Sequence, residues 1–117
     1  MPEPGERKVQ RVGMVIGLRD EAVEEYRRLH ADAEPGVRDL LRKHHITNFS
    51  IFMHRLPDGR LYEFAYYEYR GDDLAADLAA LDAEPRNRAW LGRCDPMQLP
   101  LPGERSWSVM ESVYWNE

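Results

Sequence analysis

Tyr26 and His30 stand four positions apart in "EEYRRLH" (24–30), so on a helix their side chains leave one face about a turn apart. An imidazole, with an ordinary pKa of about 6.5, both gives and takes protons near neutrality, which is the requirement for general acid–base chemistry. The phenol beside it adds a hydrogen-bonding hydroxyl. The pair has an equally physical structural use, because buried polar side chains are as a rule simply hydrogen-bonded inside the core. Both positions fall on an apolar stripe, where only a satisfied core bond or a polar pocket offsets the desolvation of these groups.

Trp90 follows Arg88 in a short polar segment, and its indole face suits stacking on a ligand, the C–H face of a sugar being one reasonable partner. Glu68 and Glu111 occupy strand-like runs where apolar residues are expected. Each reads either as an outward, solvated acid or as a pocket carboxylate able to pair with His30. His44 and His45 close the first helical stretch, where a protonated imidazole complements the negative end of the dipole. His54 stands beside Arg55 near a turn. No HxH or HxxxH spacing is present, so no metal is expected. Cys94, the single cysteine, has no disulfide partner, no zinc-ligand companions and no helix-N-terminal setting of a reactive thiol. The chain carries no GxSxG elbow, phosphate loop or dinucleotide fingerprint, which leaves acyl-transfer, phosphoryl-transfer and redox chemistry unsupported.

The elements that must position these groups follow from periodicity. "VQRVGMVIGL" (9–18) alternates, with Val12, Met14, Ile16 and Leu18 on one face, and reads as a strand. Asp20 is the expected N-cap of a helix with Glu21, Glu24 and Glu25 in its first turns. Its inward stripe is Ala22, Tyr26, Leu29, His30, Ala33, Val37, Leu40 and Leu41, with a kink or break at Pro35-Gly36. "TNFSIFMHR" (47–55) and "RLYEFAYYEY" (60–69) flank Leu56-Pro57-Asp58-Gly59 and predict a hairpin. Asp72 and Asp73 open an Ala/Leu-rich helix, and Pro85 begins a second short helical piece through Trp90 and Leu91. "QLPLPGER" (98–105) reads as a Pro-rich loop, and "SWSVMESVYW" (106–115) as a closing strand.

The order is β-α-β-β-α-β, an α+β, ferredoxin-like arrangement of a four-stranded antiparallel sheet with helices on one face. Several strands are apolar on both sides, so the uncovered face is expected to pack on a second copy, sheet on sheet, as a homodimer. Residues 1–8 read as a flexible tail and 9–117 as a single domain. The 16 Lys+Arg are interspersed with 21 Asp+Glu, for a net charge of −5, and form no basic stripe for nucleic acid. No run approaches the ~18 apolar residues of a membrane span, and "MPEPGERK" lacks the apolar core of a secretion signal. A cytoplasmic location is expected.

In "EEYRRLH", Pro35, "NFSIF" (48–52), "FAYYE" (64–68), "NRAW" (87–90) and "ESVY" (111–114), the chain resembles the L-rhamnose mutarotases from Arg11 to Tyr114. The resemblance implies a dimeric α+β barrel that interconverts the α and β anomers of a 6-deoxy monosaccharide, L-rhamnose first and L-fucose as the alternative, without a cofactor. It places the proton donor on His30 and sugar contacts on Tyr26. Where the family has an Asn-Tyr pair this chain has Asn48-Phe49, without the hydroxyl, and where the family has Trp-Trp it has Ala89-Trp90, with one indole. The departures at Phe49 and Ala89 bear on sugar preference more than on the proton transfer. Two other readings stand beside this one: a ligand-binding or regulatory module of the same barrel without turnover, and a cofactor-free oxygenase or cyclase acting on an aromatic substrate.

Overall fold

A computed structural model describes residues 9–31 and 36–117. The tail expected over 1–8, Ala33 of the expected helical stripe and Pro35 of the expected break lie outside the described residues. The elements run β1 (Gln10–Leu18), α1 (Val23–His30), α2 (Arg38–Lys43), β2 (Ile46–Arg55), β3 (Leu61–Tyr69), α3 (Leu74–Asp82), α4 (Pro85–Cys94), β4 (Gln98–Leu99) and β5 (Ser108–Met110).

The sheet is antiparallel throughout, in the order β2-β3-β1-β4, with β5 also paired to β1. This is the split arrangement expected: each helical connection carries the chain past one strand, so β1 lies between β3 and the last strand position. That last position differs from the expected closing strand over 106–115. Two short strands share it, β4 against Gly17 and Leu18 and β5 against Gly13–Val15, while residues 111–117 are exposed and pair with no strand. The reason for β4 is local. A Cβ on Gly17 would meet the Leu99 carbonyl oxygen at 2.7 Å, so the glycine admits a chain approach that the Pro-rich composition of 98–105 conceals.

The long first helix is also shorter than expected. Asp20 does not cap it but begins a 3-10 turn, Asp20–Ala22, and its carboxylate accepts instead from Arg55 Nη2 at 3.1 Å. α1 ends at His30, where Ala31 turns extended, and α2 begins only at Arg38, after Gly36 at a φ of +55°. The hairpin is as expected: Asp58 Oδ1 accepts from the Arg60 amide, and Gly59 takes a φ of +82° that side chains disfavour. Asp73 caps α3 by accepting from the Ala76 amide, and Pro85 is the first residue of α4. His44 and Lys43 both donate to the Glu84 carboxylate, which ties the end of α2 to the start of α4, so His44 has a structural role.

Alternation on β1 and β3 sorts the sheet into two faces. Toward the helices lie Val12, Met14, Ile16 and Leu18 opposite Tyr67, Ala65, Glu63 and Leu61. Two apolar clusters form there: Val12, Val37, Leu40, Ile46, Tyr67, Tyr69 and Leu81 at one end, and Leu18, Tyr26, Leu29, Leu61 and Cys94 at the other. Trp90 packs against both. The opposite face carries Val15, Phe64, Phe52, Tyr62 and Tyr66 uncovered by any helix, with Phe52 66% exposed.

Candidate active site

α1 delivers Tyr26 and His30 to the junction between the two clusters. One turn of helix separates them, and their rings stack at 4.2 Å between centroids, 24° from parallel. Trp90, from the middle of α4, meets the same imidazole edge-on at 5.0 Å and 71°. Tyr26 and Trp90, two of the residues expected to contact ligand, are therefore in ring contact around His30.

Hydrogen bonding fixes the imidazole's chemistry. Nδ1 lies 2.8 Å from the Tyr26 carbonyl oxygen, which only accepts, so Nδ1 carries a hydrogen in the neutral and the charged ring alike. Nε2 is then the nitrogen that gains and loses the proton. Burial holds the His30 pKa below its ordinary value, against a smaller upward pull from the Tyr26 carbonyl, which favours neutral imidazole with an open Nε2 lone pair.

Phe49 reaches the same layer by a different route. Between Thr47 and Ser50 the β2–β3 register slips, so Asn48 and Phe49 together oppose Tyr67. Asn48 takes a φ of +51°, and Phe49 stacks on Tyr67 at 5.6 Å in the cluster that also holds Trp90. Ala89 is exposed on α4. The structure thus joins Tyr26, His30 and Trp90 directly, reaches Phe49 through the shared cluster, and leaves Ala89 on the surface.

Neither acid considered as a partner for His30 is buried on the helix side of the sheet with it. Glu68 pairs with Arg11 and Thr47 in register and faces away from the helices, where Asn48, Tyr66 and Arg70 hydrogen-bond its carboxylate and hold it below the usual carboxylate range. Glu111 is exposed beyond β5. The parity of β3 decides this: Leu61, Glu63, Ala65, Tyr67 and Tyr69 point inward, so the acid beneath the site is Glu63.

Glu63 is 1% exposed and lies between Ile16 and Met53 across the sheet. Its carboxyl interacts with the Tyr26 hydroxyl and the Gln98 amide, while Oε1 is buried without a partner. Gln98, placed here by β4, donates from Nε2 to the Tyr26 oxygen at 3.3 Å. Burial pushes the Glu63 carboxyl up to about 7 against the opposing pull of Tyr26 and Gln98. The Tyr26 phenol, raised by burial and then by Glu63, stays protonated. The buried Cys94 thiol, pushed up to about 11 by burial, is no nucleophile at neutral pH. Among the described residues no group of three His, Cys, Asp or Glu could hold a metal ion, and no helix is long and apolar enough to cross a membrane.

A family model described as L-rhamnose mutarotase matches residues 11–115. An L-rhamnose mutarotase from Lactiplantibacillus plantarum is 35% identical over 72 residues, which span 62% of this chain and 66% of that relative. The crystal structure of an L-rhamnose mutarotase from Formosa agariphila superposes with a TM-score of 0.66 at 18% identity, over 92% of this chain and 99% of that one. At that identity the structural likeness establishes the α+β fold.

Proposed function

Because the chain belongs to the L-rhamnose mutarotase family, we propose that it interconverts the α and β anomers of L-rhamnose by general acid–base catalysis, with His30 as the proton-transferring group. The family is one of isomerases acting on carbohydrates. The observation that carries the assignment to His30 is the pinned imidazole: stacked on Tyr26, edge-on to Trp90, bonded through Nδ1, and left with Nε2 for a substrate.

The reaction asks for little else. Opening the pyranose breaks the bond between C1 and the ring oxygen, forms the C1 carbonyl, removes the anomeric hydroxyl proton and delivers a proton to the ring oxygen. Rotation about C1–C2 and the reverse steps give the other anomer. Both oxygens are attached to C1, so one imidazole nitrogen is close to each in turn. Neutral Nε2 takes the anomeric proton, and the imidazolium then formed supplies the ring oxygen. The half-buried Trp90 offers an apolar surface for the sugar's C–H face.

Exchange between the anomeric protons of L-rhamnose, followed by saturation-transfer NMR, tests the activity. We expect exchange well above the buffer blank. A rate equal to the blank sinks the proposal, and thermal stabilisation by sugar without exchange would establish a binding module instead.

A homodimer that pairs the open sheet faces belongs to the same reading. Val15, Phe52, Phe64 and Tyr66 form an apolar surface there, and a second copy of that surface is its natural cover. Phe52→Asp is expected to convert a dimer to a monomer in sedimentation equilibrium, and a wild-type chain that sediments as a monomer at micromolar concentration removes the idea.

A further inference from the structure

Glu63 has no task in the mechanism above, yet it occupies the floor of the site. We propose that Glu63 is a positioning residue for the anomer exchange: through the Tyr26 hydroxyl its carboxylate holds the phenol ring against His30 and favours the imidazolium that forms during turnover. The inference deepens the assignment of His30 and rests on it.

The hydrogen-bond directions support the link. Gln98 donates into the Tyr26 oxygen at 3.3 Å, so the phenol's own hydrogen is free to go to the carboxylate beside it. A phenol that donates to an anion has a more electron-rich ring, and that ring lies 4.2 Å from the imidazole centroid. An electron-rich face attracts a cation more strongly, so the stack discriminates between imidazolium and neutral imidazole. Packing gives the second argument. Leu61 and Ala65 flank Glu63 on the same strand face, and an apolar side chain there would complete the core. An acid at that place, with one oxygen unpartnered, is destabilising and calls for a use beyond packing.

The groups that face Glu63 leave it as the one that responds to pH near neutrality. α1 presents Tyr26, and α4 presents Cys94, both raised in pKa and neutral there; β4 presents the uncharged Gln98; β1 and β2 present Ile16 and Met53. With the Glu63 pKa at about 7, the carboxylate is available above neutrality and absent at pH 5.5.

The test is the pH–rate profile of L-rhamnose anomer exchange for wild type, Glu63→Gln and Tyr26→Phe, each checked for folding by circular dichroism. Glutamine keeps the size and hydrogen bonding of the side chain but cannot ionise. The wild-type rate should rise through a step near pH 7, and Glu63→Gln should lose that step, falling about tenfold at pH 8 and much less at pH 5.5. Tyr26→Phe, which keeps the ring and cuts the link, should lose it too, and decides the matter if Glu63→Gln does not fold. A loss by one constant factor at every pH would mean a structural role and overturn the proposal. An activity-independent readout separates this from the assignment of His30: the His30 Cε1 proton shift should show an extra inflection near pH 7 in wild type that both variants lack. If wild type shows no exchange, the assignment fails, and the presence or absence of that inflection alone upholds or overturns the Glu63–Tyr26–His30 link.

Discussion

His30→Ala should lower kcat/KM for anomer exchange by about a hundred- to ten-thousand-fold, the range a positioned acid–base group supplies, while the chain stays folded. The size follows from the absence of a substitute. Among the described residues, the other histidines serve elsewhere: His44 is bonded to Glu84, His45 is exposed at the end of α2, and His54 is exposed beside the hairpin turn. The fold should survive because His30 is half-buried at the last position of α1, and its removal forgoes one side-chain bond to the Tyr26 carbonyl and two ring contacts. That is a loss of about 1 to 2 kcal/mol, to be checked by urea denaturation alongside saturation-transfer NMR. Partial recovery of exchange on adding free imidazole would tie the loss to the missing proton carrier. A variant that retains half the wild-type rate removes His30 from the mechanism.

The sequence makes the first half of this site legible because its signals are local. Glutamates at the start of a helix and a 3.6-residue stripe bring Tyr26 and His30 to one inward face, and Pro-Asp-Gly fixes the hairpin that sets the β3 register. Asp73 and Pro85 mark the starts of α3 and α4 as caps do. The parts that were not legible depend on distant chain segments. β4 exists because Gly17 lets Leu99 approach β1, a pairing across some eighty residues of sequence that no periodicity reports. The break after His30 precedes the Pro35-Gly36 signal, since the helix leaves its stripe at Ala31. Phe49 turns inward because a bulge lets two residues oppose one, which alternation counted along β2 alone would misplace. Glu63 is an intermediate case. Its parity with Leu61, Ala65, Tyr67 and Tyr69 marks it as inward, whereas Glu68, the acid that stands out in the same strand-like run, has the opposite parity and lies on the other face.

Stability should report the charge of Glu63 without reference to catalysis. The folded-state pKa of about 7 lies above the 4.5 of an ordinary glutamate, so between those values the folded chain holds a proton that the unfolded chain has released. The stability associated with this group is present in full below about pH 4.5 and is lost as pH rises through about 7. A difference of that size corresponds to about 3 kcal/mol. Glu63→Gln has no such titration, so its stability relative to wild type should climb by about 3 kcal/mol between pH 4 and pH 8, measured by urea denaturation at each pH. His30 works in the opposite sense, because its lowered pKa costs stability as pH falls below about 6.5, but it cancels between the two end points, since at pH 4 Glu63 is as uncharged as glutamine and at pH 8 His30 is neutral in both chains. A difference that stays flat across this range would mean that Glu63 titrates as an ordinary carboxyl, and a pH-dependent hold on Tyr26 would then have no source. A difference that climbs as expected would show that the chain keeps, beside the Tyr26 that stacks on its imidazole, an acid whose ionised form destabilises the fold at the pH where that form serves the site.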